Sequence, residues 1–359
     1  MAVPGPDTGR RVTAVDVAHA AGVSRATVGF VLNDTPGQTI SEGTRQRVLR
    51  AAELLGYRPN SAARALASGR SRIILFVLPD WPVEFRLRHY LDEATLALDK
   101  AGYSLVTYSR PGQVSRPLWE SLNPDLVIGP TPFSASDVAS MVACGVRQIY
   151  PDPNRPGGLD LSLTIDSGPE LQVDHLHERG HRKLVFAALA GGRASSLVAA
   201  RHGAAQAQAR ALGLPTLDLK HVDHPGIVPA ESSTADALTH SPTGASRTTG
   251  KAAPTAEDAL RGWLAAGITG VVAFDDDAAA AIAGAAVRAR IRMPADLAIV
   301  GHGDSPLATM FVPALSSVRT DSAARGRAFA DFTLHKVAGR PLPVGRLAPK
   351  PTVVRRETS

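Results

Sequence analysis

Residues 12–33 read VTAVDVAHAAGVSRATVGFVLN, and this stretch decides how the start of the chain folds. Thr13 can cap a helix over 14–21 whose apolar side carries Val17, Ala18 and Ala21. Gly22 stops that helix, Val23 fills the turn, and Ser24 can cap a second helix over 25–32 that closes near Asn33. After Pro36 and Gly37, Ser41 can cap a third helix to about Leu55, with Val48, Ala51, Ala52 and Leu55 on one face. Two short helices joined at a glycine corner and braced by a third make a helix-turn-helix.

Charge singles out the same region. The chain has 359 residues and a formal net charge of +6. Residues 1–72 hold ten arginines against five acidic residues, so +5 of that charge lies in the first fifth and only +1 in the remainder. A compact basic module on a near-neutral body suits a polyanion-binding head; the alternative is a solvated charged face. Residues 1–12 are rich in Gly and Pro, lack periodicity and read as a disordered lead-in.

The stretch at 12–33, continued by TRQRVLRAAELLGYRPNSAARAL at 44–66, closely resembles the head and hinge of the lactose-repressor (LacI/GalR) family of bacterial transcription regulators. The resemblance implies a DNA-binding head over 13–59 and a hinge helix with linker over 60–71. It places the second helix in the major groove, with Arg25 reading guanine and Ala26 touching a thymine methyl. Thr13, Ser24, Thr27, Asn33 and Thr44 become backbone contacts, and Asn60, Ala63 and Leu66 fall in the minor-groove hinge, Leu66 at the wedging position. Most members read TVSRVLN where this chain reads TVGFVLN. Gly29 therefore lacks a phosphate-reaching hydroxyl, and Phe30 stands in place of a base-reading arginine. Either Phe30 makes an apolar contact that alters the operator, or DNA binding is weaker and less specific.

From Ile73 the pattern changes. Apolar runs at 73–78, 105–108, 126–128, 184–189, 271–274 and 297–300 alternate with longer helical stretches. Runs apolar on both faces and separated by helices indicate parallel sheets covered on both sides. Two such units in series predict two doubly wound α/β subdomains with a cleft between them. Residues 231–256 read as a mobile surface insertion.

More loosely, 175–189, 273–304 and 313–321 resemble that family's periplasmic-binding-protein-like core. The resemblance implies a core over 72–359 that dimerises and holds a small-molecule effector. One subdomain is expected over 72–168 with 292–320, the other over 169–291 with 321–359. The ending PTVVRRETS carries no leucine-heptad extension, which favours a dimer over a tetramer. The effector positions depart from the family. Gly303 stands where a ligand-binding aspartate is usual, with Asp304 beside it, and Asp275 stands where asparagine is common. Arg201 matches a cleft arginine, and Phe85 or Trp81 could form an aromatic wall. The cleft thus takes either an unusual effector or none.

Several classes are disfavoured. Hydrophobic residues make up 44% and charged residues 20%, an ordinary globular composition. No apolar run approaches the ~20 residues of a membrane span, and the N-terminus lacks a signal-peptide core, so a cytoplasmic protein is expected. One cysteine, Cys144, leaves no internal disulfide. His175, His177 and His181, and the run Asp275-Asp276-Asp277, are weak metal candidates, and neither metal nor cofactor is expected. Without a nucleophile elbow or a phosphate-cradling loop, no enzyme is expected; the rival is a solute-binding or enzymatic α/β protein with an incidental basic head.

Overall fold

The computed structural model describes residues 12–32, 37–57, 69–79, 85–109, 116–153, 168–191, 195–223, 253–341 and 349–359. The chain divides into two compact units, residues 1–72 and 73–359. The expected lead-in, most of the hinge and the insertion up to residue 252 lie outside the described residues; Thr255 already caps the helix that follows.

The first unit contains α1 (Ala14–Ala21), α2 (Arg25–Leu32) and α3 (Glu42–Leu54). Thr13 and Asp16 form a reciprocal capping box at the start of α1, which satisfies two N–H groups that a helix otherwise leaves open. Gly22 ends α1 at φ +63°, a left-handed conformation that glycine adopts without strain, and Val23 N–H closes back on Ala18 O at 3.0 Å. Val17, Ala18, Ala21, Val28, Val31, Val48, Ala51 and Ala52 form its small core. Leu55 follows α3 as its C-cap and is exposed, so it does not extend the buried face.

The second unit has two sheets. In the first, β1 (Ile73–Leu78) lies between β2 (Ser104–Ser109) and β3 (Leu126–Ile128), and β4 (Ile149–Tyr150) pairs with β3; all are parallel. Ile74, Phe76 and Leu78 pack on one face with Tyr90, Ala94 and Leu98 of α4 (Phe85–Lys100). Leu75 and Val77 pack on the other with Trp119 of α5 (Leu118–Leu122) and Met141 of α6 (Ala135–Ala143). That two-sided burial is why β1 reads as a continuous apolar run.

The second sheet opens with α7 (Pro169–Glu178), β5 (Leu184–Leu189), α8 (Ser195–Ala211) and β6 (Asp218–Val222). Then come α9 (Ala256–Ala265), β7 (Gly270–Ala273), α10 (Asp276–Arg288), β8 (Ala298–His302), α11 (Pro306–Met310) and β9 (Ser316–Arg319). The chain continues through α12 (Ser322–Val337) to β10 (Thr352–Val354). The strand order is β10-β9-β8-β7-β5-β6, parallel except that β10 runs antiparallel to β9.

This arrangement corrects the expected subdomain boundaries. Segment 292–320 does not join the first subdomain, because β8 and β9 hydrogen-bond within the six-stranded sheet. Segment 321–359 is split. Helix α12 packs on the first sheet, with the Phe329 ring 5.1 Å from Phe76 and Phe332 edge-on to Tyr150 at 4.9 Å. Only the last residues return to the second sheet as β10. An alternation of strands and helices shows that units exist, but not which sheet each one joins.

Gly326 lets α12 approach this closely. A Cβ there would collide with the Tyr90 carbonyl oxygen and stand 3.0 Å from Glu93 Cβ and 3.1 Å from Ala94 N. Because the obstacle is backbone, Gly326→Ala is expected to cost about 2 kcal/mol in urea unfolding despite alanine's better helix propensity. Gly203, exposed in α8 with open space around it, gives the control. Gly203→Ala is expected to stabilise by about 0.5–1 kcal/mol. Equal effects at the two sites would contradict this packing.

Candidate functional site

The head presents the start of α2. Arg25 and Ala26 are exposed there, while Val28 and Val31 on the opposite side are buried. Ser24 Oγ accepts from Thr27 N–H at 3.1 Å and pairs with the Thr27 hydroxyl at 2.9 Å, fixing the helix start. Gly29 has open space where a side chain would stand, and Phe30 is half-buried. At the start of α3, Ser41 Oγ accepts from Thr44 N–H, and Thr44 Oγ1 accepts from Arg47 at 3.2 Å. The Thr13 hydroxyl donates to Asp16. Asn33, Asn60, Ala63 and Leu66 lie outside the described residues.

In the core, a cavity of about 400 Å³ opens where the ends of β8 and β9 meet α4 and the start of α12. Ligands of open α/β sheets bind at the carboxyl ends of strands, which is where this cavity lies. Its lining includes Phe85, Arg86, His89, Asp304, Arg319 and Lys350. Arg86 of α4 reaches the second sheet, its Nη1 2.8 Å from Nδ1 of His302, the buried last residue of β8. Arginine has only donors, so this bond makes Nδ1 the acceptor and leaves the ring proton on Nε2. The His302 ring reaches the turn before α7, where a Cβ on Gly168 would stand 2.6 Å from Nε2.

Three carboxylates lie nearby in different roles. Asp304 is clamped between Arg319 Nε at 2.5 Å and Arg356 Nη2 at 2.6 Å. Asp276 is buried and accepts from Ser305 N–H at 2.6 Å and Ser317 Oγ at 2.5 Å, which ties α10 to the loop after β8 and to β9. Asp275 caps α10 through Ala278 N–H at 2.8 Å, and burial pushes its carboxyl up to about 6.

The structure therefore gathers only some of the expected ligand residues. Phe85 and Asp304 line the cavity, whereas Arg201 and Asp275 are not among its described lining residues and Trp81 lies outside the described residues. Arg201 is 2% exposed; its Nη1 donates to Phe274 O at 2.9 Å, and its guanidinium lies 4.7 Å from the Phe274 ring centroid. These bonds hold it in the interior. Sequence reading missed Arg86 and His89 on α4, Arg319 at the end of β9 and Lys350 before β10, which share no motif. The histidines are absorbed locally: His175 Nε2 is 2.8 Å from Ser359 Oγ, and His181 Nδ1 is 3.0 Å from Thr269 Oγ1. Burial lowers both, His175 to about 4.

Residues 13–60 match the family described as bacterial regulatory proteins, lacI family, and residues 173–359, just over half of the chain, match the periplasmic binding protein-like domain. The chain belongs to the lacI family of bacterial regulatory proteins. It is a DNA-binding transcriptional regulator. It is 29% identical to the ribose operon repressor of Bacillus subtilis, over 97% of this chain and 98% of the relative. It is 25% identical to the transcriptional regulator GalR of Escherichia coli, over 96% and 95%. Within the head, identity to catabolite control protein A of Priestia megaterium reaches 46% over 69 residues, 19% of this chain and 20% of the relative. The lac repressor dimer bound to operator and the anti-inducer ONPF has the same fold, at TM-score 0.66 and 20% identity over 97% of this chain and 99% of that one.

The family's usual asparagine at Asp275 suggests a test of that residue's charge. The folded protein holds the Asp275 proton more tightly than the unfolded chain does. The carboxyl is thus harmless at pH 4 and costs stability as pH rises from the ordinary carboxylate range through about 6. Asparagine keeps the cap and removes the charge. Asp275→Asn should match the parent at pH 4 and exceed it by about 1 kcal/mol at pH 7.5 in denaturant titrations. Parallel pH profiles for the two proteins would contradict this.

Proposed function

We propose that the regulator is a cytoplasmic homodimeric repressor that binds a pseudo-palindromic operator through two heads, with a small ligand in the core cleft setting their separation. The observation that carries this reading is the exposed start of α2: Arg25 and Ala26 project where a recognition helix meets base edges, and the helix's other side is its core contact. Arg25 supplies a bidentate donor for guanine and Ala26 a methyl contact for thymine. Thr13, Ser24, Thr27, Asn33 and Thr44, with the open N–H groups at the helix starts, contact phosphates. Residues 13–59 form the head and 60–71 the hinge, whose Leu66 wedges into the minor groove beside Asn60 and Ala63. A short hinge helix is marginal alone, so DNA and a partner hinge stabilise it.

The names of the ribose operon repressor and of the operator-bound lac repressor dimer support the repressor, dimer and operator parts of this reading. Among the described residues no helix is long and apolar enough to cross a membrane. The named relatives are regulators, and we assign the chain no catalytic step. A second reading, repression without an effector, is favoured by Gly303 and by the double arginine clamp on Asp304. The open cavity beside them favours a ligand.

Selection of bound sequences from a random DNA pool by the purified full chain tests the operator. The expected product is a palindrome with half-sites about one helical turn apart and a deformable centre. Arg25→Ala is expected to cost about 1–3 kcal/mol on that site and relax one position. Phe30→Arg is expected to change the preferred base at one position of each half-site, since it exchanges an apolar contact for a fork of donors. No enriched site would overturn the reading, and an unchanged preference in Phe30→Arg would remove Phe30 from readout.

A further inference from the structure

The proposed function needs a cleft ligand, and the cavity walls say what kind, an inference that rests on that reading. Arg86, His89, Arg319 and Lys350 line the cavity together with two carboxylates, Asp304 and Asp321. Both carboxylates are already engaged within the wall, Asp304 on both oxygens and Asp321 on one. Asp304 already accepts from Arg319 and Arg356, one guanidinium on each oxygen. Asp321 accepts from Ala324 N–H at 2.8 Å as the N-cap of α12. Gly303, beside Asp304 in the lining, offers no carboxylate of its own.

The positive side is better supplied. Lys350 is exposed at the cavity, and the Arg319 side chain is 59% exposed even while it touches Asp304. Behind the wall, Arg325 is 4% exposed, and burial together with the nearby Arg86 charge lowers its pKa. Arg86 itself stands in the cavity wall, while Asp321 lies close enough to Arg325 to offset part of its charge. Arg356, largely buried behind Asp304, adds a further cation and Asp276, beside Gly303, a further carboxylate; Arg86, Arg319, Lys350 and Arg356 still outnumber Asp304, Asp321 and Asp276. Arginine forks and a lysine point charge suit planar carboxylates and phosphate oxygens.

We infer that the cleft binds a small organic anion, one bearing a carboxylate or phosphate group held by Lys350 and Arg319, rather than a neutral sugar.

Thermal unfolding of the full chain tests this with matched ligands at millimolar concentration. Glucose 6-phosphate and other sugar phosphates, and gluconate and other sugar acids, are compared with their neutral parents, with ribose and with inorganic phosphate. Affinity for the selected DNA is measured beside each. At least one organic anion is expected to raise Tm where its neutral parent does not, with the gain shrinking at high salt. The phosphate and acid arms separate the two head groups. Lys350→Ala, an exposed side chain, is expected to keep the parent Tm without ligand and weaken the anion about tenfold.

A neutral sugar that shifts Tm and DNA affinity while its anionic partners do not would overturn the anion and leave the regulatory reading standing. An anion that shifts Tm but not DNA affinity would support the inference and overturn the regulatory role of the cleft. An equal shift by inorganic phosphate that Lys350→Ala does not change, or a flat response to every anion, would overturn the inference.

Discussion

The core depends on the close approach of α12 to α4. Gly326 lies against the Tyr90 carbonyl, Phe329 sits 5.1 Å from Phe76 and 5.4 Å from Tyr90, and Arg327 meets Glu93 at 2.8 Å. Without that contact α12 would have no place to bury its aromatic face, since each phenylalanine stabilises by about 1.5–3 kcal/mol only when buried. With it, the chain leaves the six-stranded sheet after β9, covers the first sheet and comes back as β10. The cavity forms where that path crosses, with Arg319 to Ala323 on one wall and α4 on the other. The walls thus come from α4, which covers the first sheet, and from the strand ends of the second, the geometry that would let a ligand favour one arrangement of the two over another.

Charge in the core is arranged by the same logic. Asp276 serves structure, holding the loop after β8 to α10 and β9. Asp304 is neutralised by two arginines, and the remaining cations stand at the cavity. The head separates its roles similarly: serine and threonine hydroxyls fasten the helix starts, and Arg25 and Ala26 are left exposed.

Much of this was legible in the sequence. The three head helices fall at the expected positions because caps and apolar spacing are local signals: Thr13 with Asp16, Gly22, Ser24 and Ser41. Strands such as Ile73–Leu78 and Leu184–Leu189 were visible because both their faces are buried. The half-exposed β6 and β10 and the two-residue β4 lacked that signature. The sheet to which 292–320 and 321–359 belong was hidden because it depends on contacts between residues far apart in sequence, such as Phe329 with Phe76. Arg201 shows the limit of positional resemblance: the residue type fits a cleft, but Phe274 supplies a carbonyl and a ring that keep it inside. The cationic lining, drawn from α4, the end of β9 and the residues before β10, left no trace in local spacing.

In the proposed complex the exposed start of α2 reads bases while the surrounding polar groups hold phosphates. The most direct measurement is the affinity of the full chain and of Arg25→Ala for a selected duplex and a scrambled one, across a salt series. A steep fall of log affinity with log salt is expected for both proteins on both duplexes. The preference for the selected duplex is expected to drop in the variant while its salt slope changes by no more than about one. A shallow slope, or equal affinity of the parent protein for both duplexes, would contradict it.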